Sequence, residues 1–245
     1  MIRRTACLIA RDNEPCRNLA IEKHLMDTLP ENTAILYLYQ NRHAIVVGRN
    51  QNPWQECKVE SFLQSGGGIA RRLSGGGASY QDMGCLNYTF ILPKTDFSIP
   101  GQLSIVAAAL GSLGAPVQPG PKSGLYVGGR LLCQNDYFKA GSTAFHHGVL
   151  FFDASVDVME HYLRPRSKQP ENPEAPNFKQ RMLNLRELNP EATLDGAERA
   201  LCEAFAFYYH SSPAWLDEKM MDESSIEKTA SQFENPQWVY PEKAD

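Results

Sequence analysis

Arg71 and Arg72 stand between two glycine triplets in the run Gln64-Ser-Gly-Gly-Gly-Ile-Ala-Arg-Arg-Leu-Ser-Gly-Gly-Gly-Ala-Ser-Tyr-Gln-Asp-Met-Gly-Cys85. Glycine lets the backbone approach a ligand closely and take up positive φ. Successive free N–H groups can then cradle an anion. Neighbouring guanidiniums grip a phosphate or carboxylate with fork geometry. A flexible linker is Gly/Ser-rich and does not normally carry an Arg pair followed by strand-like residues. The segment therefore reads as an anion cradle with an arginine grip. A histidine pair, His146-His147, is the second feature with chemical potential. On a strand its rings point to opposite faces, so one of the two is structural. The six cysteines, at 7, 16, 57, 85, 133 and 202, are scattered with no CxxC pair. No metal site is expected from them, and reduced thiols imply a cytoplasmic location.

The bulk numbers agree with one small ligand. The chain has 245 residues, 42% hydrophobic and 21% charged, with a net charge of −4. That composition is globular, and its length allows one large domain or two small ones. An acidic chain with a local arginine pair does not indicate nucleic-acid binding. No apolar run is long enough for a transmembrane helix. Arg11 and Asp12 interrupt the short apolar stretch at the start, which argues against a signal peptide.

Strands are expected at Thr5–Ile9, Ala34–Tyr39, Ala44–Gly48, Ile69–Leu73 and Asn87–Leu92. Further strands are expected at Gly124–Val127, Arg130–Cys133, Tyr137–Ala140 and Ala144–Phe152. Ala34–Tyr39 and Ala44–Gly48 look hairpin-related, and Gly128-Gly129 is a strong hairpin turn. Helices are expected over Cys16–Leu29, after the Asn50–Pro53 turn through Phe62, and over Ser104–Leu113, Val156–Leu163 and Thr193–His210. The stretch Arg166–Asn177 carries prolines at 170, 173 and 176 and reads as an exposed loop. Trp215 and Trp238 are expected to pack on the core. Hairpins among interleaved helices predict an α/β (α+β) fold with mixed, largely antiparallel sheets flanked by helices.

Arg71-Arg72-Leu73-Ser74-Gly75-Gly76-Gly77, followed by Tyr80, Gln81-Asp82 and Gly84-Cys85, resembles the signature of the lipoate–protein ligase family. Asn18-Leu19-Ala20-Ile21-Glu22 is similar to that family's first helix, and Val47-Gly48-Arg49-Asn50-Gln51-Asn52 to the turn before its glycine segment. Phe145-His146-His147-Gly148-Val149-Leu150 is similar to its His-His-Gly strand. Arg181–Leu185 and Phe233–Pro241 fit as well, so the resemblance covers nearly the whole chain.

The resemblance implies a class II synthetase/biotin ligase-like core. It implies a single catalytic domain over 1–245, without the small C-terminal domain of larger members, whose role a separate small protein would fill. It implies attachment of lipoate or octanoate, through an acyl-adenylate made from ATP with Mg²⁺, to a lysine of a lipoyl domain. Such carriers are the lipoyl domains of 2-oxoacid dehydrogenases or the glycine cleavage H protein. Ser74 and Gly75, Gly76 and Gly77 would lie along the acyl chain or phosphate. Arg72 would contact the adenylate phosphate, assisted by Arg71. Tyr80 would wall the acyl tunnel, with His146, His147 and Gly148 near the site. Asp82 either orients Arg72 or ends a turn.

The sequence departs from the family pattern at the activating lysine, in Gly129-Arg130-Leu131-Leu132-Cys133-Gln134, where Leu131 stands in its place. Losing such a cation costs on the order of 3 kcal/mol or more of charge stabilisation. Gln81 stands for a histidine, Cys85 for an asparagine, and Ser123-Gly124 for Asn-Asp. Three alternatives stay open: a ligase in which Lys122 or Lys139 supplies the cation, an ATP-independent lipoyl/octanoyl transferase, or a non-catalytic binder of an acyl group or lipoyl domain. A transferase could use Cys133 or Cys85 as a thiol nucleophile, against the simpler reading of buried, inert cysteines.

Overall fold

The computed structural model describes residues 1–164 and 177–241. Its strands in chain order are β1 (Arg4–Ile9), β2 (Thr33–Tyr39), β3 (Ala44–Val47), β4 (Gly68–Arg71), β5 (Ser79–Gln81), β6 (Cys85–Pro93), β7 (Gln118–Pro119), β8 (Leu125–Val127), β9 (Arg130–Ala140), β10 (Thr143–Phe151) and β11 (Ala214–Trp215). Eight form one sheet in the order β11-β1-β2-β6-β10-β9-β8-β7, and β4-β3-β5 form a second. Only β1 with β2 and β11, and β3 with β4, run parallel. The mixed, largely antiparallel architecture is as expected.

The large sheet is covered on both faces, which is why its central strands read as continuous apolar runs. Alternation sorts β2 cleanly. Leu36 and Leu38 join Tyr88, Phe90, Leu103, Val106, Leu201 and Phe205, under the helices Ile99–Ser112 and Leu194–Tyr208. Ile35 and Tyr37 face the other way, onto Leu19, Ile21 and Leu25 of the Pro15–Asp27 helix and onto Ile226 and Phe233 of Glu223–Glu234. The small sheet carries a third cluster around Ile45, Val47, Phe62, Tyr80 and Phe151.

Three expectations change. β2 and β3 are not a hairpin, because the turn between them hands the chain from the large sheet to the small one. The helix expected after the Asn50–Pro53 turn through Phe62 is two helices, Pro53–Glu56 and Val59–Gln64. They break at Cys57, whose extended backbone forms an isolated bridge to Leu163. Trp238 packs on Phe233 with ring centroids 5.6 Å apart, but Trp215 is 66% exposed on the edge strand. The expected loop lies, from 166 to 176, outside the described residues. The Gly128-Gly129 hairpin forms as predicted, with both glycines at positive φ. No helix among the described residues is long and apolar enough to cross a membrane.

Candidate functional site

The two glycine triplets do different work. The first ends the Val59–Gln64 helix, with Gly66 at φ +80° just past the cap. It is a helix stop of the left-handed kind, not part of a cradle. The second forms the loop that carries the chain from β4, past the central β3, to β5. Arg72 N–H donates to the Val47 carbonyl at 3.0 Å, Arg49 N–H to Ser74 at 2.8 Å, and Gly48 N–H to Gly77 at 3.1 Å. The Val47-Gly48-Arg49 turn and the glycine loop are thus bound together as one piece. Gly76 takes φ +87°.

A Cβ at Gly48 would lie 2.4 Å from the Gly76 carbonyl oxygen and 2.8 Å from that of Gly75. Backbone cannot swing aside. Gly48→Ala is therefore expected to destabilise the fold by about 2 kcal/mol, as overpacking does. Urea unfolding reads this, and an unchanged midpoint would show that the loop does not depend on this contact.

Neither arginine is free to grip a ligand. Arg71 is 1% exposed. Its Nε donates to the Trp238 carbonyl at 2.8 Å and Nη2 to Val239 at 2.7 Å, while Nη1 donates to Gly48 at 2.9 Å and Arg49 at 2.7 Å. It ties the C-terminal Pro236–Val239 turn to the small sheet. Arg72 is 4% exposed. Its Nε donates to Ser74 Oγ at 3.0 Å and the Gly75 carbonyl at 3.1 Å, and its Nη1 to the Val46 carbonyl at 2.9 Å. Nη2 donates to Asp136 Oδ2 at 2.9 Å. Burial lowers the Arg72 pKa from its ordinary value, and the Asp136 carboxylate opposes that.

The histidines face opposite ways, as strand geometry requires. His147 Nε2 lies 2.7 Å from Ser74 Oγ, and its Nδ1 lies 2.9 Å from Glu22 Oε1. Thr89 also donates to Glu22. An ionised carboxylate only accepts, so Nδ1 carries the proton and Nε2 accepts from the Ser74 hydroxyl. Ser74 is fully buried beneath the loop, so this Ser–His–Glu line braces the loop against the Pro15–Asp27 helix. His146 points to the other side, with Nε2 3.0 Å from Asn135 Oδ1.

Two cavities meet at the loop. The inner one, about 20 Å³, is lined by Leu19, Tyr39, Val46, Arg72, His147 and Val149, with Gly148 beside them. A space of that size holds about one water. The outer one, about 440 Å³, is lined by Gly76, Gly77, Tyr80, Lys122, Leu131 and Met182, with Arg164 and Arg181 at its wall. Ser79, Gln134 and Asp136 line both.

Against this geometry the candidate residues separate. Lys122 lies on the outer cavity. Lys139 does not, because its ammonium sits over the Phe97 ring, 4.3 Å from the centroid, on the far end of β9. Cys133 is fully buried in the main core, and burial pushes its thiol pKa up, with Tyr88 opposing. That environment disfavours a thiolate nucleophile. Cys85 is likewise fully buried, its thiol raised by burial and then by the Asp82 charge. Asp82 ends a turn: it accepts from Gly84 N–H at 2.9 Å and Ser155 N–H at 3.0 Å. Tyr80 is buried, with its hydroxyl 3.2 Å from His43 Nδ1 and its ring toward the outer cavity. Gln81 accepts from Asn41 in a buried network with Asn18 and Tyr37.

Sequence reasoning missed Glu22 and Asp136 as site residues. Glu22 left a signal: it stands one turn from Asn18 on a helix stripe of otherwise apolar side chains, where an unpaired carboxylate does not survive burial. Gln134 and Asp136 stand on one face of β9 and left no comparable signal. Among the described residues, no group of three or more His, Cys, Asp and Glu could hold a metal ion.

Residues 14–206 match the family model described as the lipoyl protein ligase A/B catalytic domain. The chain is 32% identical over 218 residues to lipoate-protein ligase A of Psychrobacter cryohalolentis, covering 87% of this chain and 64% of that relative's length. A crystal structure of lipoate-protein ligase A bound with ATP superimposes with TM-score 0.83 at 19% identity, over 98% of this chain and 99% of the other. A bipartite lipoate protein ligase of Thermoplasma acidophilum, studied with its E2 lipoyl domain, gives TM-score 0.83 at 19% identity over the full length of both. At such identities the structural likeness shows the fold.

Proposed function

Because the chain belongs to the lipoyl protein ligase A/B catalytic-domain family, we propose that it attaches lipoate, or the related octanoyl group, to a lysine of a lipoyl domain through an acyl-adenylate. The observation that carries this reading is the outer cavity beside the glycine loop, whose apolar wall of Tyr80, Leu131, Phe151 and Met182 suits an acyl tail. The outer cavity has room for a nucleotide and is bordered by Lys122, Arg164 and Arg181, which suits its phosphates. A free carboxylate makes a poor acyl donor, so adenylation supplies the leaving group, and the acceptor amine then attacks. Positioning and charge stabilisation provide most of the rate in such chemistry.

The Mg²⁺ that accompanies ATP typically keeps several waters and binds through phosphates plus one or two carboxylates. Glu56 and Asp136 line the outer cavity, but Asp136 is already paired with Arg72 and Glu56 accepts from Ala78 N–H. The donor set therefore fits a metal that arrives with the nucleotide better than a resident one. Lipoyl domains of 2-oxoacid dehydrogenases or the glycine cleavage H protein are the proposed acceptors, with a small accessory protein completing the catalytic domain. A cytoplasmic location follows from that proposed role.

One observation favours a second reading. Leu131 faces the outer cavity where the activating cation is expected, so the chain could instead transfer a preformed acyl group without ATP. Purified protein with lipoate, Mg²⁺-ATP and apo lipoyl domain should release pyrophosphate in step with lipoylation. Absence of pyrophosphate alongside transfer from an octanoyl-carrier thioester would replace the first reading with the second. Absence of both would leave only a non-catalytic binder.

A further inference from the structure

The cradle read from the sequence exists, but it is filled from within. The Asp136 carboxylate lies against Gly76 so closely that a Cβ there would meet its oxygens at 2.3 and 2.5 Å. The same carboxylate takes the outward Nη2 of Arg72 at 2.9 Å. Arg72 also donates to neutral oxygens of Ser74, Gly75 and Val46. Asp136 is therefore the counter-ion that makes this buried guanidinium tolerable. β9 fixes its position, since Asp136 pairs with His147 on β10 in the sheet register. Two residues away on the same face of β9 stands Gln134, and both side chains border the inner pocket and the outer cavity at once. The inner pocket behind them, about 20 Å³, is far too small for an eight-carbon chain.

We propose that Asp136 is a specificity-determining residue: its carboxylate occupies the anion place on Arg72 and Gly76, so the site discriminates against acyl ligands that carry a free carboxylate. A ligand carboxylate must displace Asp136 from Arg72 and then sit beside it, like charge against like charge. A neutral acyl group meets only the steric part of the closure. This rests on the second reading, transfer of a preformed acyl group, which brings no free carboxylate to the site, and not on adenylation of free lipoate. Its test needs neither nucleotide nor acceptor, so the two can fail separately.

The test is equilibrium binding by calorimetry of two probes, octanoate and its neutral isostere octanamide, to the whole chain and to Asp136→Ala and Asp136→Asn. Octanoate is expected to tighten at least tenfold in both variants, and octanamide less than threefold in Asp136→Asn, which frees the arginine charge without opening space. Equal tightening of both probes in Asp136→Asn would reduce Asp136 to a steric plug and overturn the charge assignment. Unchanged octanoate binding in a folded variant would overturn the proposal entirely. If Asp136→Ala does not fold because Arg72 is left unpaired, Asp136→Asn, which still accepts from Nη2, decides the matter alone. Lipoyl transfer by the native chain with no octanoate gain in Asp136→Asn would sink this inference and leave the function standing. Selective octanoate gain with no transfer activity would do the reverse.

Discussion

Arg71→Ala is expected to destabilise the protein by about 3 kcal/mol or more. Four backbone carbonyls, of Gly48, Arg49, Trp238 and Val239, accept from this one guanidinium. Hydrogen bonds to a charged donor contribute more than neutral ones, and buried acceptors left without a partner cost about 1–3 kcal/mol. The side chain also fills space, at 1% exposure, so its removal adds a cavity penalty. The Trp238 indole donates back to the Arg71 carbonyl at 3.0 Å, and that contact loses its support as well. In a chain of this size the loss reads as a fall in Tm of roughly 10 °C. Arg71→Lys should recover only part of it, because one ammonium cannot fork toward both the Gly48 turn and the C-terminal turn. The result also separates two roles. Were Arg71 a ligand grip, Arg71→Ala would cost activity and leave Tm nearly unchanged.

Acid is expected to weaken the fold through His146. The ring is 1% exposed, and its Nε2–H donates to Asn135 Oδ1, which the Tyr88 hydroxyl shares at 2.5 Å. Nδ1 has no hydrogen-bond partner, so nothing stabilises a second proton there. Burial, above all, pushes its pKa down from 6.5 to about 3. The unfolded chain therefore takes up the proton as pH falls through 6.5, while the folded chain resists it until about 3. Stability tied to neutral His146 is complete above pH 6.5 and is lost steadily below it. The loss is on the order of 2 kcal/mol by pH 5 and about twice that by pH 3. Urea unfolding at pH 7 and pH 5 checks this against His146→Gln, whose amide can still donate to Asn135. The native chain should lose about 2 kcal/mol more than the variant between the two pH values. Parallel losses would mean that His146 is not held neutral.

Much of the fold was legible because period-two and helical patterns report burial directly. β2 and the Pro15–Asp27 helix were placed within a few residues, since each face has an apolar partner. The β2–β3 connection misled because a short polar turn between two apolar runs looks the same whether the runs pair or part. The break at Cys57 was invisible for a related reason: a bridge to Leu163, over a hundred residues away, sets it.

The site was half legible. The glycine loop and its partner turn announced themselves by composition. The fate of the arginines did not, because a guanidinium that holds carbonyls and one that holds a phosphate have the same sequence. Asp136 lay hidden in a polar stretch of β9, and only three-dimensional register brings it over Gly76. Lys139 and Cys133 were plausible by residue type and failed by position, one over Phe97 and the other in the core.

Acylation of an acceptor lysine is the core of the functional account, and intact-mass spectrometry of an apo lipoyl domain tests it most directly. The domain is incubated with the chain in two arms, one with lipoate and Mg²⁺-ATP and the other with an octanoyl-carrier thioester. The account predicts a single lipoyl adduct on one lysine in the first arm, growing with time and absent without the chain. An unmodified acceptor in both arms, with the chain folded and any accessory protein supplied, would contradict it.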